Sequence, residues 1–171
     1  MPWLKVANGF LFNLSWLGIV TTASAVIAPL IVVVHLAIHA TFIGLKKGEP
    51  LFILLVAGTG FLLDQLLFGA QVFLVNGVPA SAPFWLSCLW PVLATTFMHA
   101  FESLQKQLAL ASLVGAVGGA LSYIGGTRLS DVSFGHDVIG PFLLAGLWFV
   151  LMPLLLWLAV RLATAEPVPD V

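Results

Sequence analysis

Apolar stretches long enough to cross a bilayer, repeated along the chain with short polar breaks, leave this sequence few choices of fold. A spanning helix needs about 20 apolar residues. Six segments approach or exceed that length, roughly 9–24, 26–45, 51–75, 84–104, 108–125 and 139–163. No segment alternates apolar and polar residues as a strand would. The expected fold is therefore all-α: a polytopic membrane helical bundle of about six transmembrane helices. Only 8% of residues are charged and 61% are hydrophobic, whereas a soluble domain carries roughly 25% charged residues. Such a chain cannot cover a globule with water-compatible side chains. One domain over residues 1–165 is expected, with a short disordered tail at 166–171. The net charge is −1, and no basic run suits nucleic acid. The single cysteine, Cys88, excludes an intrachain disulfide and a zinc–thiolate centre.

The N-terminal segment has two readings. Lys5, an apolar run and Ala23-Ser24-Ala25 are similar to a signal peptide with its cleavage site. The lone Lys, the interruptions at Asn13 and Ser15, and the apolar segment that follows at once favour a first transmembrane helix.

Basic residues collect in cytoplasmic loops. With the N-terminus inside, Lys5, Lys46, Lys47, Lys106 and Arg161 share that side and Arg128 lies opposite. Both termini are accordingly expected in the cytoplasm. Trp3, Trp85, Trp90, Trp148 and Trp157 fall near predicted helix ends, as interfacial aromatics do.

Five ionisable side chains sit within these apolar segments: His35, His39, Asp64, His99 and Glu102. Each costs at least about 2–3 kcal/mol at the centre of a bilayer, so such groups face the bundle interior and mark sites. On a helical wheel they align with other polar residues. The fourth segment gathers Cys88, Thr95, His99, Glu102 and Lys106. The second gathers Ala28, His35, His39 and Lys46. The third gathers Ala57, Gly60, Asp64 and Gln71. At 1.5 Å per residue, His39 and His99 lie about 10 Å from Lys46 and Lys106, and Asp64 lies deeper. A polar column between the second, third and fourth helices, open to the cytoplasm, is expected.

Several chemistries suit that column. His35 and His39, at i and i+4, with His99 and Glu102, at i and i+3, could hold a divalent metal. The same groups could relay protons or ions for a small carrier, with Asp64 as the deep step; a carrier often shows an inverted repeat, which this sequence lacks. They could also hydrogen-bond across helices and nothing more, at about 0.6 kcal/mol each. A lipid-handling or partner-binding cavity without metal is the fourth reading. Gly115 and Gly119 form a GxxxG pattern suited to close helix packing. Pro91 and Pro153 are expected to kink their helices. Arg128, Asp131, His136 and Asp137 fall in the longest loop and read as solvated.

The run Phe84-Trp85-Leu86-Ser87-Cys88-Leu89-Trp90, followed by Ala94-Thr95-Thr96-Phe97-Met98-His99, resembles the central signature of an uncharacterised bacterial inner-membrane family, domain of unknown function 2878. Leu121-Ser122-Tyr123-Ile124-Gly125-Gly126-Thr127-Arg128-Leu129 resembles its second block, and Trp148 with Pro153 to Leu156 its final helix. Asp64 and a histidine of the second helix also match. Ala120 replaces a proline frequent in the family, and Glu102 stands where an apolar or aromatic residue is expected. The resemblance covers nearly the whole chain and points to Asp64, His99, Tyr123 and Arg128 as site residues. Genes of the family often lie beside lipid-modifying enzymes. The resemblance therefore implies an inner-membrane protein that binds a membrane lipid or amphiphile or assists its modification, with a membrane-associated lipid-modifying enzyme as partner; separately, a second copy of the chain could replace the repeat that a carrier would need. In that picture His39 and His99 are ligands or general acid/base groups, and Asp64 is the deep charge partner.

Overall fold

The structure, a computed structural model, describes residues 1–164; the expected tail at 166–171 lies outside them. Helix α1 (Pro2–Thr22) ends on Ala23 in the left-handed conformation. Helix α2 (Ile27–Ile38) continues as a π-helical turn over His39–Gly44. Helix α3 spans Glu49–Gly69. A short strand β1 (Phe73–Val75) leads to α4 (Phe84–Ser87) and α5 (Leu89–Phe97). A 3-10 turn over Glu102–Lys106 precedes α6 (Leu108–Leu129), strand β2 (Val132–Phe134) and α7 (Ile139–Thr164). The chain is an all-α bundle. Among the described residues, four helical spans are long and apolar enough to cross a membrane: Ile27–Gly44, α3, α6 and α7. Helix α1 is as long but carries Lys5, Asn8, Asn13 and Ser15.

The fourth expected span is where sequence and structure part. Pro91 has no N–H to offer the carbonyl of Ser87, and the helix breaks at Cys88 between α4 and α5. Helix α5 then stops at Phe97. Thr95 and Thr96 turn their hydroxyls back onto the carbonyls of Val92 and Leu93, and the Thr96 carbonyl accepts from both His99 and Phe101. The helical wheel that aligned Thr95 with His99, Glu102 and Lys106 therefore does not apply. The expected loop after residue 127 also differs. Helix α6 runs on to Leu129, and β2 pairs antiparallel with β1, Phe73 opposite Phe134. Three-residue strands are too short to leave an alternating pattern in a sequence.

Helices α6 and α7 form the most extensive helix pair, and the GxxxG glycines explain it. A Cβ on Gly115 would meet Met152 Cβ at 2.4 Å, and one on Gly119 would meet Trp148 Cγ at 2.3 Å. Trp148 stacks on Trp90 of α5, with ring centroids 5.8 Å apart. Gly60 of α3 closes the far side of Trp90, where an added Cβ would lie 2.0 Å from the ring. Glycine, indole, indole and glycine thus lock α3, α5, α7 and α6 into one stack. The outward faces carry exposed Val33 and Leu30 on α2, Leu54 and Leu66 on α3, and Val117 and Leu121 on α6. These are surfaces that hydrocarbon, not water, accommodates.

One end of the bundle is basic. Lys5 and Lys46 both reach Glu102, at 3.3 and 3.2 Å, and Gly48 lies against the Leu162 carbonyl, beside Arg161. Arg128 sits exposed at the other end, next to β2. In a Cys88→Ala background, a cysteine placed at Lys106 should label only from the cytoplasmic side and one at Arg128 only from the opposite side. Labelling of both from one side would overturn this orientation.

Candidate intramembrane sites

The residues expected to form one polar column lie in two separate places. The first is a buried cluster at the basic end. Glu49, fully buried in the first turn of α3, accepts three hydrogen bonds. His39 Nε2 lies 2.9 Å from its Oε1, and His99 Nε2 lies 3.0 Å from its Oε2. The Lys46 backbone N–H reaches Oε2 at 2.7 Å. The N-terminal end of a helix favours a carboxylate in addition. Gly48 supplies the turn before it, with φ 74°, in a space where a Cβ would strike the Leu162 carbonyl.

Asn8 of α1 sets the protons of this cluster. Its Oδ1 accepts from the Ala100 N–H and its Nδ2 donates to the Thr95 carbonyl, each at 3.3 Å. Those two partners fix which end of the amide is which. The same Nδ2 lies 3.3 Å from His39 Nδ1, so Nδ1 accepts and the proton of a neutral His39 is on Nε2, facing Glu49. His35, next along α2 with its ring centroid 6.4 Å from that of His39, is held in the same way. Thr95 Oγ1 gives its proton to the Val92 carbonyl at 2.8 Å and therefore accepts from His35 Nε2 at 3.0 Å. Ser15 Oγ meets His35 Nδ1 at 2.9 Å. The cluster joins α1, α2, α3 and the segment around the end of α5.

Glu102, expected among the metal-binding groups, is elsewhere. Its half-exposed carboxylate pairs with Lys5 and Lys46. Partial burial raises its carboxyl, but the hydrogen bonds from Lys46 and Lys5 outweigh this and hold it below the usual carboxylate range. Glu49 takes the place beside His39 and His99 that the sequence reading gave to Glu102.

The second place surrounds Asp64. This side chain is 1% exposed and meets none of the histidines. Its Oδ2 accepts from Trp90 Nε1 at 2.9 Å and Ser87 Oγ at 3.2 Å. It lines a cavity of about 500 Å³ whose walls include Trp16, Trp85, Trp90, Tyr123 and Trp148. That size falls in the roughly 300–1,000 Å³ range of ligand pockets. Tyr123 stacks on Phe73, with centroids 5.3 Å apart. Arg128 is not in the lining. Trp85 Nε1 and Trp148 Nε1 are buried without an acceptor in hydrogen-bond geometry, although the Tyr123 phenol is close to Trp148.

The mouth of the cavity faces sideways. Helices α1 and α6 touch only sparsely, and Asn13 of α1 with Val114, Gly118 and Leu121 of α6 are exposed residues of the lining. The opening therefore lies on the apolar flank of the bundle, not at its basic end as expected from sequence. His35 is absent from this lining and lies instead on a smaller groove between α1 and α2, with Leu11 and Ile31.

An all-α bundle with four membrane-length apolar helices, a buried histidine–carboxylate knot and an aromatic cavity defines a chain built as a membrane protein. Residues 5–154 match the family described as a protein of unknown function (DUF2878), and the chain belongs to that family. No curated protein and no solved structure matches it.

Proposed function

We propose that this inner-membrane protein binds a lipid or amphiphile through the lateral cavity, with Asp64 as the polar group that meets the ligand. The observation that carries this reading is the cavity itself: about 500 Å³, walled by tryptophans, holding the buried Asp64 carboxylate and open on an apolar flank. Small residues make the space. Gly118 and Gly126 line it, and neither would bring an added Cβ within 4 Å of another atom. In this reading His39, Glu49 and His99 hold four chain segments in register and do not touch the ligand.

Gly118→Phe fills the mouth without a backbone collision. Tryptophan fluorescence of the protein in vesicles, quenched by a lipid brominated on its acyl chain, reports occupancy. The wild type should show a saturable component that Gly118→Phe lacks. Quenching that rises linearly in both proteins would overturn the proposal.

A second reading, a divalent cation at His39, Glu49 and His99, is favoured by one observation: one ligand atom from each lies within 4.8 Å of the others. The proton inventory opposes it. A metal would take His39 Nε2, which requires the proton on Nδ1, where Asn8 presents a donor. Elemental mass spectrometry on purified protein should find no near-stoichiometric metal. One metal per chain, lost in His39→Ala and His99→Ala, would establish the cation and reverse the hydrogen-bond assignment.

A further inference from the structure

We propose that the ligand of the cavity is a cation: an amphiphile with an amine or quaternary ammonium head, its charge against Asp64 Oδ1 and its chain leaving between α1 and α6. This rests on the amphiphile reading above and names the chemistry of the head. The first ground is the carboxylate. Both protein donors, Trp90 and Ser87, go to Oδ2. Oδ1 has no hydrogen-bond partner among the described residues, and Asp64 enters no ion pair there. An ionised carboxylate at this depth with one open oxygen is a costly arrangement unless a cation completes it.

The second ground is the wall. Among the described residues no Lys, Arg or His lines the cavity, so an anionic head meets no counter-charge there. The lining is aromatic instead. Trp16 and Trp85 stack on no other ring among the described residues, and Tyr123 pairs only with Phe73. Aromatic rings present negative π-faces, which attract ammonium groups most strongly where water is excluded. The third ground is access. The mouth opens between Val114 and Leu121 of α6 and Phe12 and Asn13 of α1, on a flank whose outward faces are apolar, a route from hydrocarbon. An amphiphile can enter head-first by that route and leave its chain in the bilayer.

The full chain in nanodiscs, titrated with hexadecyltrimethylammonium, hexadecanol and hexadecyl sulfate at matched mole fractions in the bilayer, separates the possibilities. Tryptophan fluorescence is the readout. The ammonium should saturate at a mole fraction at least about tenfold lower than the alcohol, a preference of the size expected for a desolvated cation–π and carboxylate contact. Asp64→Asn keeps an acceptor for Trp90 and Ser87 and should bring the ammonium to the level of the alcohol. Gly118→Phe should abolish saturation by all three. Equal saturation by ammonium and alcohol in the wild type, lost in Gly118→Phe, would overturn the cationic head and leave amphiphile binding standing. Preference for the sulfate would overturn it too. No saturable signal from any probe would overturn both. The wild-type ranking decides the question even if Asp64→Asn does not fold.

Discussion

Glu49→Ala should be among the most damaging single substitutions in this protein. The change strips the acceptor from three donors at once: His39 Nε2, His99 Nε2 and the Lys46 N–H. The two imidazoles are buried, and neither Nε2 makes another hydrogen bond among the described residues. Each orphaned buried donor costs about 1–3 kcal/mol, so the two imidazoles alone imply a loss of at least about 2 kcal/mol. Glu49→Gln preserves shape and one acceptor oxygen and should fall between alanine and wild type. Unfolding in detergent mixtures, followed by tryptophan fluorescence, checks the order: wild type, then Gln, then Ala. An Ala variant as stable as wild type would mean that the cluster does not brace the bundle.

Gly60→Ala comes next. A single methyl at this position would lie 2.0 Å from the Trp90 ring. The indole can escape only by leaving Trp148, on which it stacks, and Asp64, to which it donates a hydrogen bond. Overpacking of this kind costs typically about 1–3 kcal/mol, and the lost hydrogen bond adds to it. Gly58→Ala is the control. It lies in the same helix, exposed, with nothing within 4 Å of the new Cβ. Alanine is favoured over glycine in a helix interior by up to about 1 kcal/mol, so Gly58→Ala should be neutral or stabilising. Equal effects of the two substitutions would refute the indole stack as the lock between α3 and α5.

The helical class was readable because hydrocarbon-length apolar runs survive any detail of packing. The polar residues were harder. His39 and His99 were placed at one depth from their spacing to Lys46 and Lys106, and the structure brings their rings to 4.9 Å. Their carboxylate partner was hidden, because Glu49 sits in a Lys-Lys-Gly-Glu-Pro run that reads as a solvated turn. The signal was present. Residues 49, 53, 56, 60 and 64 fall on one helical stripe, all buried, so extending the Gly60–Asp64 face toward the N-terminus reaches Glu49. The roles of Asn8 and Ser15, and the pairing of Thr95 with His35, are hidden for a different reason. Nothing in a sequence says which histidine nitrogen a neutral side chain will meet. The lateral cavity was also invisible, since it depends on how far α1 stands from α6.

Asp64, singled out by residue type and by resemblance, and Tyr123, singled out by resemblance alone, both line the cavity, whereas Arg128 does not. The fold thus keeps its two polar centres apart. A hydrogen-bonded knot ties the basic end, and a carboxylate with one open oxygen stands among tryptophans at the cavity. On the proposed function, this division gives structural work to the histidines and ligand contact to Asp64.

Native mass spectrometry of protein released directly from its own membranes tests ligand binding most directly. The account predicts a discrete adduct of lipid-like mass on the wild type, absent from Gly118→Phe purified in parallel. A wild-type protein that carries no adduct, or an adduct that persists undiminished in Gly118→Phe, would contradict it.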